Sequence, residues 1–191
     1  MRKPWVLHEA CRQGKQWLNK GYPPLTIAVN VSPYQLRQAD IGALVTKVLA
    51  ETGFPANQLE LEITESGLME NEDKVTAILK DLHIQGIRFA IDDFGTGYSS
   101  LNRLKHFPLD VLKIDKSFID DIPFHQDDME IAATIVGMAH TLGLKVLAEG
   151  VETTAQLAFL QEKGCDMYQG YIRSQPVSAD EMTQLLDDQR Q

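Results

Sequence analysis

Apolar strand-like runs alternate with amphipathic helix-like runs along the whole chain. The strand pattern falls at residues 25–31, 58–64, 87–92, 110–115, 144–149 and 165–170. The helix pattern falls at residues 4–20, 33–52, 70–84, 98–106, 127–142, 153–163 and 178–188. Strands that alternate with helices pair in parallel, because each helix carries the chain back across the sheet. The pattern therefore predicts an α/β fold, either an open doubly wound sheet or most of a (β/α) barrel.

The composition excludes several classes of protein. Of the 191 residues, 43% are hydrophobic, which is typical of a globular domain and not of a disordered chain. The net charge of −9 argues against non-specific binding to DNA or RNA. No apolar run reaches the length of a membrane span. Because Cys11 and Cys165 have no metal-ligand spacing, we interpret them as reduced thiols of a cytoplasmic protein.

The two faces of the predicted strands differ in polarity. Side chains alternate across a strand, and one face of each of the first five strands is apolar, as with Ile27, Val29 and Val31. The opposite face is polar or small, whereas an ordinary parallel sheet is apolar on both faces. A barrel interior explains this difference, since polar side chains converge there at the C-terminal strand ends. The side chains expected at those ends are Asn30, Glu62, Asp92, Lys113, Glu149 and Gln169.

Two adjacent carboxylates, Asp92 and Asp93, stand where the third predicted strand enters a glycine-rich turn. Taken alone, the pair favours a solvated turn that holds a side-chain-to-backbone hydrogen bond, which is common for Asp before Gly. Together with Glu62 and Glu149, however, four carboxylates would face a single lysine, and such a cluster favours a hard divalent cation. Lower in the barrel we expect an internal salt-bridge layer, formed by Glu60, Arg88 and Lys145.

Six motifs, in this order and spacing, resemble the EAL domain, a bacterial phosphodiesterase family that hydrolyses cyclic di-GMP. They are VNVS (29–32), LELEITES (59–66), DDFGTGYSSL (92–101), LKID (112–115), AEGVET (148–153), and QGY (169–171) followed by Pro176. Each motif is weak by itself, but their joint occurrence is highly specific. The resemblance implies a TIM-type (β/α) barrel and the substrate cyclic di-GMP.

The resemblance also implies roles for individual residues around a two-metal site for Mg²⁺ or Mn²⁺. One metal would be held by Asn30, Glu62 and Asp92, and the second by Asp92, Asp93 and Glu149. Lys113 would orient or activate the attacking water, so the implied catalytic set is Lys113, Glu149 and Asp92. Glu65 would anchor the loop after Asp93, and the remaining supporting residues would be Glu152, Gln169 and Asp115.

The family's Glu-Ala-Leu signature, which supplies a metal ligand, is not found in these residues, nor is the neighbouring phosphate-gripping arginine. We therefore expect residues 1–191 to form a single partial EAL domain, a barrel that lacks the first two strands.

Two functions remain open. One is metal-dependent hydrolysis of cyclic di-GMP to linear pGpG. The other is a catalytically defective module that binds cyclic di-GMP or a protein partner as a regulator. An unrelated barrel with Lys113 as a Schiff-base lysine is disfavoured, because nearby acids would hold its ammonium form. The expected further partners are sensory or GGDEF domains of a longer parent protein, and the sequence leaves a homodimer open.

Overall fold

The computed structural model describes residues 3–37, 41–69, 72–95 and 101–189. In these ranges, six strands form one parallel sheet in chain order: β1 (Ile27–Val31), β2 (Leu59–Thr64), β3 (Arg88–Phe94), β4 (Val111–Ile114), β5 (Lys145–Ala148) and β6 (Met167–Tyr168). A doubly wound sheet reverses its strand order at a switch point, and this sheet does not. Since β6 does not pair with β1 in the described chain, the predicted incomplete (β/α) barrel is confirmed.

Helices connect and flank the strands. In the described ranges they are α1 (Lys3–Asn19), α2 (Pro33–Arg37), α3 (Ile41–Thr52), α4 (Glu65–Met69), α5 (Glu72–Ile84), α6 (Leu101–Leu104), α7 (Gln126–Thr141), α8 (Thr154–Glu162) and α9 (Ala179–Asp188). The helix expected at 33–52 corresponds to α2 and α3, and residues 38–40 between them lie outside the described chain. The pattern does not predict α4, which starts directly after β2.

The core lies between the outer face of the sheet and the helices. On β2, Leu59, Leu61 and Ile63 are at most 2% exposed, as the strand pattern predicts. Helix α5 buries one side of its surface against this layer, through Val75, Leu79 and Leu82. Apolar burial of this kind is the main favourable contribution to folding, so the outer face of the sheet fixes the position of each strand.

The inner face of the sheet is buried at its centre and open at its edge. On β2, β3 and β4 the side chains of Glu62, Asp92 and Lys113 are buried. On β1, in contrast, Ala28 and Asn30 are exposed. The reason is geometric, because β1 has a neighbour on one side in the described chain and β2 to β5 have neighbours on both.

The expected salt-bridge layer is present in part. The guanidinium of Arg88 lies 3.8 Å from the carboxylate of Glu60 and also donates to Thr26. Burial raises the pKa of Glu60, and Arg88 partly offsets this effect. The prediction was wrong for Lys145, which is exposed at the first residue of β5 and forms no ion pair with Glu60 in the described structure.

Two sequence expectations concern the chain as a whole. Cys11 and Cys165 are free thiols, and burial raises the pKa of Cys11 to about 11. In the described part of the chain, no helix has both the length and the apolar character needed to cross a bilayer.

Candidate metal centre

Lys113 lies at the centre of the site. It is the third residue of β4, and its side chain is 3% exposed. Its Nζ lies 3.1 Å from Oε1 of Glu62, 2.8 Å from Oδ1 of Asp92 and 2.7 Å from Oε1 of Glu149. Parallel pairing brings these four side chains together from four different strand ends, as the alternation of the strand faces predicts.

The charge state of Lys113 follows from these contacts. Burial alone would lower the pKa of Lys113, but the close polar contacts with Asp92 and Glu149 and the charges of Glu62 and Asp92 outweigh burial and raise it. The side chain therefore stays an ammonium. A general base needs a pKa near the working pH, so Lys113 is suited to donate hydrogen bonds and not to remove a proton.

Asp92, Asp93 and Glu149 form a cluster in which one carboxylate oxygen from each residue lies within 4.8 Å of the other two. Neighbouring residues on a regular strand point to opposite faces, so two adjacent acids should not meet in this way. In strand β3 the register against β4 shifts between Ile91 and Phe94, and Asp93 adopts a left-handed φ of 55°. This irregularity brings the two neighbouring carboxylates to the same site. Such bulges re-aim side chains next to functional sites.

The electrostatics of the cluster favour a bound cation. Burial raises the pKa of Asp93, and the charges of Asp92 and Asp115 add to this effect. Burial also raises the pKa of Glu149, with Lys113 opposing the shift. The buried Oδ1 of Asp92 lies at ion-pair distance from Lys113 yet accepts no well-aligned hydrogen bond. Crowded carboxylates with an under-satisfied oxygen match the donor set that hard divalent cations prefer.

Asn30 and Glu62 reach the cluster indirectly. Asn30 donates a hydrogen bond from Nδ2 to Oε2 of Glu62 at 3.0 Å, and these residues are register partners on β1 and β2. Glu62 in turn contacts Lys113. The five predicted metal ligands therefore form a linked set, with Lys113 between Glu62 and the three clustered acids.

The turn after β3 is held from two sides. Glu65, at the start of α4, is 5% exposed and accepts a hydrogen bond from the backbone N–H of Gly95 at 3.3 Å, a contact of the kind expected from the sequence. Gly95 has a φ of 99°, and a Cβ there would lie 2.7 Å from the ring of Phe118. Residues 96–100 of the predicted loop lie outside the described chain.

The other predicted supporting residues lie around the cluster. Glu152 is exposed and pairs with Lys116 at 2.8 Å. Asp115 caps a 3₁₀ turn, Lys116–Phe118, by accepting from the backbone N–H of Ser117 at 3.0 Å. The Gln169 side chain is exposed, and its backbone bonds to Ala148 and Val151. Their roles toward a metal stay predictions.

Sequence reasoning missed Gln156, a buried side chain in the first turn of α8. Its hydrogen bonds connect two loops beside the cluster. A signal was available, because Thr153 and Gln156 have the spacing of a helix capping box.

A partial (β/α) barrel with acidic side chains at the C-terminal ends of its strands defines the class of this protein. Residues 3–176 match the EAL domain family model, and the chain belongs to that family. It is 47% identical over 182 residues to the cyclic di-GMP phosphodiesterase NbdA of Pseudomonas aeruginosa, covering 95% of this chain and 23% of NbdA. It is 45% identical over 185 residues to the signaling protein YkoW of Bacillus subtilis, covering 97% and 23%. The chain thus spans about a quarter of these relatives' length.

Solved structures resemble this one closely. The MucR phosphodiesterase in complex with cyclic di-GMP superposes with a TM-score of 0.90 at 43% identity, covering 94% of this chain and 72% of that chain. Klebsiella pneumoniae BlrP1, in complex with manganese and cyclic di-GMP, superposes with a TM-score of 0.79 at 31% identity. The match covers 92% of this chain and 45% of the BlrP1 chain.

Proposed function

We propose that this chain is the catalytic module of a metal-dependent phosphodiesterase that hydrolyses cyclic di-GMP to linear pGpG. The observation that carries the proposal is the convergence of Asp92, Asp93 and Glu149 beside the ammonium of Lys113. The substrate class is supported by the name of NbdA and by the cyclic di-GMP complex of MucR.

The proposed cofactors are two Mg²⁺ or Mn²⁺ ions, and the manganese complex of BlrP1 supports this choice. Asn30, Glu62 and Asp92 would hold one ion, and Asp92, Asp93 and Glu149 the other. When bound, two such ions supply an activated water and neutralise the charge that develops on the phosphate. The cluster has the carboxylate oxygens that these ions require.

Lys113 contributes a fixed positive charge to this chemistry. Its ammonium is buried and held by three carboxylates, so its direction is set before substrate arrives. A preorganised donor of this kind stabilises developing negative charge without further reorganisation. We assign Lys113 the task of orienting the attacking water or the phosphate oxygen. Proton removal does not suit it, because its pKa is raised.

A second candidate is a module that binds cyclic di-GMP without hydrolysing it. Two observations favour it for the 191 residues taken alone. They contain no Glu-Ala-Leu signature, and Asn30 is exposed at the open edge of the sheet. An exposed ligand is more strongly hydrated, and its contacts are weaker than those of a buried one.

Hydrolysis assays separate the two candidates. The 191-residue chain would be compared with a form extended upstream by a strand of the type Glu-x-Leu-x-Arg, each with Mn²⁺ and with EDTA. We expect pGpG from the extended form with Mn²⁺, little or none from the chain alone, and a loss of roughly 100-fold or more with Asp92→Asn. Binding without hydrolysis in both forms would favour the regulator. Full activity of the chain alone would require the metal ligands to be reassigned.

The module is proposed to act within a longer protein, because it spans 23% of NbdA and YkoW and 26% of MucR. MucR is named a bifunctional diguanylate cyclase and phosphodiesterase, which supports a GGDEF domain as a neighbour here. A cytoplasmic location is part of the same proposal, which leaves the formation of a homodimer open.

A further inference from the structure

Gln156 joins two loops through a single amide group. The side chain is 4% exposed. Its Oε1 accepts from the backbone N–H groups of Glu152 at 2.8 Å and Thr153 at 2.9 Å. Its Nε2 donates to the carbonyl oxygens of Ile119 at 3.0 Å and Asp120 at 3.4 Å. Residues 149–153 are named here the β5 loop, and residues 115–122 the β4 loop.

Both loops continue directly from the metal centre. The β5 loop begins with Glu149, whose backbone N–H donates to Ile114 at 3.1 Å. The β4 loop begins two residues after Lys113. An exposed ion pair, Lys116 with Glu152, also connects the loops at 2.8 Å. Exposed pairs contribute little, whereas buried hydrogen bonds are expensive to break, so Gln156 is the stronger of the two connections.

The β4 loop also contacts the turn after β3. The ring of Phe118 packs against Gly95, which follows the Asp92 and Asp93 pair in the turn after β3. A shift of the β4 loop would therefore disturb the turn that directly follows both acids. Gln156 is hydrogen-bonded to the β4 and β5 loops, and through the β4 loop it is connected to the turn after β3.

We infer that Gln156 is a positioning residue for the metal centre, which holds Glu149 in register with Asp92 and Asp93. The inference rests on the proposed metal-dependent function. Hydrogen-bonding groups behind metal ligands typically change metal affinity by about 10- to 100-fold when they are replaced. The role of Gln156 would be of this kind, acting through the backbone of the two loops.

A purely structural role in starting α8 is the competing explanation, and the chain offers variants that separate the two. Gln156→Glu keeps the acceptors for the N–H groups of Glu152 and Thr153, and glutamate suits a capping box. It cannot donate to Ile119 or Asp120. Thr153→Ala removes the other half of the capping box, in which the backbone N–H of Gln156 donates to the Thr153 hydroxyl at 3.2 Å. It leaves in place the hydrogen bonds from Nε2 of Gln156 to Ile119 and Asp120. Gln156→Met removes every side-chain bond at similar volume and adds no charge.

The measurement is the Mn²⁺ dissociation constant, read from the electron paramagnetic resonance signal of free Mn²⁺, for the 191-residue chain and each variant. Asp92→Asn serves as the reference for loss of the site. We expect Gln156→Glu and Gln156→Met to bind Mn²⁺ roughly 10-fold more weakly, and Thr153→Ala to bind like the unaltered chain. Without metal, hydrogen exchange at the Glu149 amide should be faster in both Gln156 variants only.

Each other outcome has a distinct meaning. Normal Mn²⁺ affinity in Gln156→Glu, with loss in Asp92→Asn, overturns the positioning role and leaves the metal centre standing. Equal weakening in Thr153→Ala and Gln156→Glu assigns the effect to helix capping and also overturns the role. If the unaltered chain binds no Mn²⁺, or Asp92→Asn binds it equally well, the proposed metal centre fails and this inference fails with it.

Discussion

The ammonium of Lys113 lies 2.7 Å from the carboxylate of Glu149, the residue directly after the neighbouring strand β5. Glu62 and Asp92 complete a ring of three carboxylates around this one buried cation. The ring holds more negative than positive charge, so the stability of the protein and its affinity for metal should depend on the same four side chains. The predictions below test this dependence and the geometry that produces it.

Lys113→Met should destabilise the metal-free protein by about 3–5 kcal/mol, because three buried carboxylates lose their common counter-charge. Mn²⁺ should restore part of this loss by replacing the missing charge. Urea unfolding with EDTA and with Mn²⁺ measures both effects. Lys163→Met is the matched control, since Lys163 pairs with Glu162 at 2.8 Å on the surface, and its replacement should change stability far less. Equal effects of the two substitutions would contradict a buried charge network.

Glu65→Ala should weaken Mn²⁺ binding by about 10-fold while the fold stays intact, because the turn after Asp93 loses the acceptor for Gly95. Glu65→Gln keeps an acceptor oxygen at the same position and should lose less affinity. Mn²⁺ titration gives the affinity, and far-ultraviolet circular dichroism checks the fold. Normal affinity in Glu65→Ala would show that the turn needs no anchor.

Gly95→Ala should destabilise the protein by about 1 kcal/mol or more, because Gly95 has a left-handed φ of 99° and its new methyl group would meet Phe118. Phe118→Leu in the same chain should relieve the contact but not the backbone strain. Gly137→Ala is the control, because Gly137 lies in α7 and no other atom is near the added methyl group. This substitution should stabilise the protein by about 0.5–1 kcal/mol. Thermal unfolding of the three variants orders these effects.

Asp110 and Asp166 form matching contacts at the N-terminal ends of strands β4 and β6, away from the metal centre. Asp166 accepts from the backbone N–H of Val146 at 2.8 Å and contacts His140 at 2.9 Å. Asp110 accepts from the N–H of Phe89 at 2.9 Å and lies 3.5 Å from His83. In both cases the histidine lies in the last turn of a helix and six residues before the donor.

Asp166→Asn should reduce stability in a pH-dependent way. Partial burial would raise the pKa of Asp166, but the hydrogen bonds from His140 and Val146 outweigh burial and lower it. A lowered pKa gives stability that is present above the usual aspartate pKa and is lost as pH falls through the lowered value. Urea unfolding from pH 7 to pH 2 should therefore show that the unaltered chain has the larger free energy of unfolding at pH 7. Its difference from Asp166→Asn should disappear in acid. A gap that stays constant down to pH 2 would exclude this linkage.

The sequence by itself determined the order of the six strands, the buried face of each of the first five, and the polar side chains at their C-terminal ends. These features follow from local rules, because alternation along a strand and periodicity along a helix need no knowledge of neighbours. The convergence of Glu62, Asp92, Lys113 and Glu149 could be predicted from this alternation alone. The same alternation of side chains also predicts Asn30 on the inner face, where it lies beside Glu62.

Only the tertiary structure decided how these side chains meet. Alternation would separate Asp92 from Asp93, and the bulge that joins them arises where β3 changes its register against β4. The exposure of Asn30 depends on the open edge of the sheet, and the place of Gln156 depends on two loops that lie far apart in sequence. Strand register and loop contacts come from long-range packing, so no local pattern of residues can specify them.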